Sequence, residues 1–209
     1  AMLKDVAFVQ NVAVAGLQAS LDGVLADAQF QETSPTSEAE IMATLRVARR
    51  RVAIVTAFAD IAGVWPLAQI TGALSAFADV AVEAAVGTLI AEAVQSGALS
   101  PEAAADHGLA VLAVGKLGAQ DLNYSSDIDI IVLWDQEKSR GITDPDALFV
   151  RLTRRLVTVL EKRTVDGYVF RTDLRLRPDP GATPLAVSMR AAETYYESQG
   201  QNWERAAMI

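Results

Sequence analysis

Two aspartates, Asp127 and Asp129, open an apolar run that continues to Trp134. Side chains alternate along a strand, so these two point to one side with their Cα atoms roughly 7 Å apart. Carboxylates so placed can reach a pair of cations about 3.5 to 4 Å apart, the spacing that steadies the entering and leaving oxygens of an in-line displacement at phosphorus. A third carboxylate from a neighbouring strand would complete such a site, and Asp173 in FRTDLRLRP is the candidate. The three carboxylates are then expected to converge at the edge of a mixed sheet and to hold Mg²⁺, a cation that takes oxygen ligands. Aspartates at the mouth of a strand also suit a turn that binds their side chains, and spacing alone leaves both readings open.

Other residues gather around that pattern. If 168–176 is a strand, Arg171, Asp173, Arg175 and Arg177 share one face and Thr172, Leu174 and Leu176 the other, so the charged face lines solvent or a polar cleft. Upstream, VGKLG closes an apolar run at Gly115 and Lys116, where backbone N–H groups can approach a phosphate. Ten residues separate Lys116 from Asp127, and the last two, Ser125 and Ser126, either donate to phosphate oxygens or shape the turn. His107 is the only histidine; before a glycine it suits a capping or surface role better than a catalytic base. Arg49, Arg50 and Arg51 read as a solvated helix face, with contact to the catalytic domain as the lesser alternative. Trp203 suits a core or interface better than a stacked purine, and Glu204 and Arg205 suit a helix-surface pair or a brace for the site.

These residues need elements to position them. Apolar residues recur at helical spacing from Leu3 to Phe30 and from Ser37 to Ala62, the latter opened by a SEAE capping box and stopped by Gly63. A third helix is expected from about Leu74 to Gln95, and a short one at Ser100 with Pro101 in its first turn. After Gly108 the pattern becomes strand-like in GLAVLAV and IDIIVLW. Asp144 and Pro145 then cap a helix with Leu148, Leu152, Leu156 and Leu160 on one face. A turn at Asp166 and Gly167, a strand over 168–176 and a helix over 188–199 follow. The expectation is an α+β fold: an all-α domain over 1–107, then a mixed-sheet domain with flanking helices over 108–209, cut short at its C-terminal end.

Bulk composition narrows the function. The 209 residues carry a net charge of −8, with 5 basic and 12 acidic side chains in 1–107 against 13 and 14 in 108–209. No basic stripe is present, which argues against nucleic acid as a partner. There is no cysteine, which fits a reducing cytoplasm. The uncharged run 61–78 is long enough for a bilayer but holds a Gly-Val-Trp-Pro break, Gln69, Thr71, Gly72 and Ser75, so no membrane helix is expected. No signal peptide pattern opens the chain. Ala1 ahead of Met2 reads as a cloning remnant, and NWERAAMI stops in mid-helix, so the chain reads as a piece of something longer.

The segments GKLG, LNYSSDIDIIVLW, DGYVFRTDLRLRP and YYESQGQNWERAAMI together resemble the bacterial family of bifunctional glutamine synthetase adenylyltransferase/adenylyl-removing enzymes, within the nucleotidyltransferase superfamily. Lys116 stands where most of the superfamily has Ser or Gly, and Gly-Lys-Leu-Gly is customary in this family. The resemblance runs from about Gly108 to the end and is looser in the helical half, around RRRVAIVTAFADIAGVWPL. It implies a nucleotidyltransferase-type domain in which Asp127, Asp129 and Asp173 bind metal and act in catalysis. It also implies that Gly115, Lys116, Ser126, Arg175 and Arg177 meet the nucleotide and phosphate. LNYSSDID and YYESQGQNWER look like the N-terminal, adenylyl-removing copy. The implied reaction is phosphorolysis, with adenylylated glutamine synthetase, inorganic phosphate and ADP or ATP as partners and the PII signalling protein and 2-oxoglutarate as regulators. Adenylyl transfer from ATP, another acceptor, or a non-catalytic docking module are the alternatives.

Overall fold

The computed structural model describes residues 5–31, 37–202 and 204. The first predicted helix is two, α1 (Val6–Ala15) and α2 (Leu17–Ala28), divided at Gly16. Gly16 adopts φ 88°, a left-handed angle that lets the chain turn between them. α3 (Glu38–Ile61) begins with the expected capping box: the Glu40 N–H donates to Ser37 Oγ and the Ser37 N–H donates to Glu40 Oε2 at 2.9 Å. α4 (Leu67–Gln95) starts at Leu67, straight after Pro66, rather than near Leu74. Its first turns are helical despite Thr71 and Gly72, because Ser75 Oγ donates to the Thr71 carbonyl and Ile70, Ala73 and Leu74 are buried. α4 is long and apolar enough to cross a bilayer, yet Phe77, Ala81, Ala85 and Leu89 are buried inside the fold.

α5 (Pro101–Ala105) is capped by Ser100 and leads into β1 (Leu109–Val114). The chain then forms a single helical turn, α6 (Gly115–Gly118), before β2 (Ile128–Trp134). A 3₁₀ turn at Lys138–Gly141 precedes α7 (Pro145–Glu161), whose cap Asp144 accepts from the Ala147 N–H at 3.0 Å. β3 (Thr172–Asp173), β4 (Ala186–Ser188) and α8 (Met189–Ser198) complete the described elements.

The sheet is mixed, as expected. β1 pairs antiparallel with one edge of β2, while β3 and β4 both run parallel along its other edge, β3 against the first residues and β4 against the last. The predicted strand 168–176 shrinks to two residues for a local reason. Val169 and Phe170 donate their N–H groups to Leu160 O at the end of α7 rather than to a strand, and the Arg175 N–H donates to Asp173 Oδ1, turning the chain away. The four charged residues of 171–177 therefore do not share one strand face.

Helices and sheet bury one continuous core. Ile128, Ile130, Val132 and Trp134 alternate onto the helical side of β2 and join the residues of α2, α3, α4 and α7. Phe77 of α4 packs on Phe170 with ring centroids 5.6 Å apart. Arg155 of α7 binds Glu38 of α3 at 2.7 Å and also Glu92 of α4. The opposite face of β2 starts with Asp129 and continues through Ile131, which is buried.

Candidate active site

Three positions lie abreast across the sheet. Asp129 is the register partner of Val114 on β1 and of Asp173 on β3. Gly115, one residue past Val114, adopts φ +58°, and a Cβ there would lie 2.8 Å from Asp129 Oδ2. Only glycine lets the backbone come this near the carboxylate, and only glycine adopts this angle without strain. The Asp129 carboxyl is pushed above the usual aspartate range, first by partial burial and then by the negative charges of Asp173 and Asp127; Arg175 and Lys116 oppose the shift. The sheet has thus concentrated negative charge at Asp129.

The two flanking aspartates are held by arginines. Arg175 clasps Asp173 through Nε at 2.9 Å and Nη2 at 2.5 Å, and this hydrogen bonding holds the Asp173 carboxyl below its usual range. Arg171 donates from Nε to Asp127 Oδ1 at 2.5 Å and from Nη2 to the Ser125 carbonyl at 2.9 Å. Among the described residues no three acidic or histidine side chains stand close enough together to share an ion. The ready-made convergence of three carboxylates expected from the sequence is not what the chain forms; Asp127 and Asp173 each face a guanidinium instead. The donor set still suits a divalent cation: Mg²⁺ is commonly held by one or two carboxylates together with substrate phosphates. Asp129 and Asp173, paired side by side, offer that minimum.

The chain matches the family model described as glutamate-ammonia ligase adenylyltransferase over residues 7–209. The chain belongs to that family. Among its relatives are bifunctional glutamine synthetase adenylyltransferase/adenylyl-removing enzymes of Rhizobium meliloti (strain 1021), 52% identical over 82% of this chain and 18% of the relative, and of Bradyrhizobium sp. (strain BTAi1 / ATCC BAA-1182), 47% identical over 92% and 20%. That of Brucella suis biovar 1 (strain 1330) is 43% identical over 100% of this chain and 22% of the relative. The chain therefore spans about a fifth of the length of the relatives it matches.

Within this family member the remaining candidate residues take distinct places. Lys116 is exposed on α6, near enough to Asp129 to oppose the upward shift of its carboxyl. The Ser126 hydroxyl donates to Asn123 Oδ1 at 2.8 Å, so it shapes the turn before Asp127. Arg177 turns away from the aspartates: it donates to the carbonyls of Leu174, Pro180, Thr183 and Pro184 and so ties down the excursion between β3 and β4. His107 accepts the Leu109 N–H on Nδ1 at 2.9 Å, and burial holds its imidazole below the usual range. Glu204 is buried and accepts from the Tyr195 hydroxyl and the Gln201 N–H, a brace rather than a surface pair; Trp203 and Arg205 lie outside the described residues. A cleft of about 420 Å³ between α4 and β1 is lined by Asp79, Val82, Val111 and Ile130. Ile130 points to the face opposite Asp129, so this cleft is separate from Asp129 and Asp173.

The reading of Arg49 as a solvated residue is overturned. Arg49 Nη2 donates to the Tyr124 carbonyl at 2.7 Å, Nε donates to the Val169 carbonyl at 3.3 Å, and its guanidinium lies 5.2 Å over the Phe170 ring. Arg46 is 1% exposed and spends its donors on the carbonyls of Met42, Val159, Lys162 and Gly167. Arg50, largely buried, pairs with Asp5 and with Asp166 of the other half, and only Arg51, which pairs with Asp5, stays partly open to solvent. The signal was in the periodicity: Arg46 and Arg49 fall in the stripe of Met42, Leu45 and Val52, at three- and four-residue spacing, where a solvated charge does not belong.

Proposed function

We propose that this chain performs adenylyl-group chemistry on glutamine synthetase in the removing direction. An oxygen of inorganic phosphate attacks the α-phosphorus of the adenylyl-tyrosine, the bond from phosphorus to the tyrosine oxygen breaks, ADP leaves, and the tyrosine oxygen takes up a proton. The observation that supports this most is Asp129 abreast of Asp173, with Gly115 against the Asp129 carboxylate, in a chain of this family. The direction rests on LNYSSDID and YYESQGQNWER, which resemble the N-terminal copy of the two-copy enzymes.

Asp129 and Asp173 would hold Mg²⁺, and Asp127 would join them on leaving Arg171. When bound, the ions supply Lewis acidity at the phosphoryl oxygens. The chain's own contribution is placement. Gly115 leaves room for the Asp129 carboxylate and exposes backbone N–H groups at the end of β1. Arg175 and Lys116 are the cations nearest Asp129 that can meet phosphate oxygens, and the arginine fork does so with two parallel hydrogen bonds. Ser126 sets the turn that presents Asp127, and Arg177 supports the site by holding the loop beyond Arg175.

The helical half, 1–107, is assigned to framing the transferase half, 108–209. PII control would require regions beyond this chain, nucleic acid and membrane are not among the partners, and the cytoplasm is the proposed location. Transfer of AMP from ATP onto glutamine synthetase is the second reading, because the relatives' names carry both activities. Incubation with adenylylated glutamine synthetase, phosphate and Mg²⁺ decides between them. Release of ADP supports the removing direction; labelling of unmodified glutamine synthetase from ATP, with no ADP from the modified form, overturns it.

A further inference from the structure

We propose that Arg49 of α3 is a positioning residue for the aspartate site, holding in mutual register the two backbone segments that carry Asp127 and Asp173. The inference rests on the reading of those aspartates as the metal site and extends it to a residue of the helical half.

The geometry is specific. The Tyr124 carbonyl lies three residues before Asp127 and the Val169 carbonyl four before Asp173, and one guanidinium donates to both. Its guanidinium carbon also lies 5.2 Å over the Phe170 ring, a cation–π contact that helps hold it in place. Nearer the site the two segments are joined by the Ile128 N–H donating to the Arg171 carbonyl at 2.9 Å and by Arg171 reaching Ser125 and Asp127. Arg49 is thus the tie at the base of the two segments, and Arg171 the tie at the rim.

The frame to which Arg49 belongs is itself anchored. One turn earlier on α3, Arg46 donates to Val159 and Lys162 at the end of α7 and to Gly167 in the following turn, fixing the path into Val169. A planar fork can serve two carbonyls from one side chain, whereas a lysine ammonium on a flexible stem holds that geometry poorly. Support of this kind matters because sites of this type need their ligands held within about 0.5 Å of the working geometry.

The test compares Arg49→Met and Arg49→Lys with Arg51→Met, a neighbouring arginine that packs on Phe8 and Asp5 instead. Mn²⁺ affinity by calorimetry, thermal midpoint, and hydrogen exchange at the amides of 126–128 and 171–173 are read for each. Arg49→Met is expected to weaken Mn²⁺ about 10- to 100-fold, the range seen when the supports of metal ligands are lost, and to speed exchange in both segments. Arg49→Lys should recover part of each effect, and it keeps the proposal testable if the methionine variant does not fold. Arg51→Met should alter the midpoint at most. An Arg49 variant with a lowered midpoint but unchanged exchange in both segments and unchanged Mn²⁺ affinity overturns the proposal. Asp129→Asn separates the two ideas: if it leaves Mn²⁺ affinity untouched, the metal reading fails, and the exchange data still judge Arg49.

Discussion

Asp129 and Asp173 are register partners across the parallel pairing of β2 and β3, with the Asp129 carboxylate against the backbone of Gly115 on the other side. The chain has placed two like charges on adjacent strands and compensated one of them with Arg175. The repulsion falls on Asp129, whose carboxyl is raised, and an added cation there would relieve it.

Asp129→Asn is expected to abolish transfer while leaving the fold intact or slightly firmer. The carboxyl is raised by burial and by its neighbours' charge, so removing its charge relieves repulsion. Loss of a supporting group around a metal ligand costs about 10- to 100-fold, and loss of the ligand should cost at least as much. Turnover and thermal midpoint measured on the same sample check this; near-normal turnover would remove Asp129 from the ligand set.

Gly115→Ala should be as damaging as the aspartate change, by a different route. The added methyl would meet Asp129 Oδ2 at 2.8 Å, and the residue must hold φ +58°. The left-handed angle alone costs about 1–2 kcal/mol in a residue with a Cβ. Gly141→Ala, where a Cβ meets nothing within 4 Å, is the control and should behave as wild type in denaturant melts and turnover.

Arg175 and Arg177 should separate kinetically, although the sequence places them alike. Arg175 is exposed and bound to Asp173, so Arg175→Ala should raise the KM for phosphate more than the KM for adenylylated glutamine synthetase. Arg177 donates to four carbonyls of its own loop. Arg177→Ala should therefore lower kcat and stability together, with no preference between substrates, as steady-state kinetics and melting curves would reveal.

Acid should loosen the attachment of α7 to the helices through Glu92. Burial raises its carboxyl, but the Arg155 hydrogen bond, the Glu38 N–H and the Arg155 charge outweigh this and leave it below the ordinary value of 4.5. The unfolded chain then binds this proton more readily than the folded one. The contribution is present above pH 4.5 and is lost as pH falls through the lowered folded value. Stability against pH for Glu92→Gln should show a flatter acid limb than wild type; an unchanged limb would deny the linkage.

Much of the scaffold was legible because it depends on local chemistry. The Ser37, Ser100 and Asp144 caps, the alternation of 128–134 and the leucine stripe of α7 all follow from neighbours in sequence. Less legible were features decided by distant groups. Nothing local told that Leu160 O would draw Val169 and Phe170 out of strand pairing, or that the three residues of β4 would fill the rest of β2's edge. At the site, the Asp127 and Asp129 spacing and the third carboxylate Asp173 were readable, but their arginine partners were not. Arg171 and Asp173 are two apart, and only the turn after Asp173 separates the guanidinium that reaches Asp127 from the one that clasps Asp173. Arg49 escaped because a triple arginine resembles a solvated face until the stripe it interrupts is traced.

The central claim is that the aspartates on β2 and β3 hold divalent cations beside Gly115. Crystals of the protein grown with Mn²⁺ and ADP, measured at a wavelength where manganese scatters anomalously, test it directly. The account predicts an anomalous peak within coordination distance of Asp129 and Asp173, with Arg175 moved from Asp173 toward the phosphates. Nucleotide density with no manganese peak at these carboxylates, or a peak held by other residues, would contradict it.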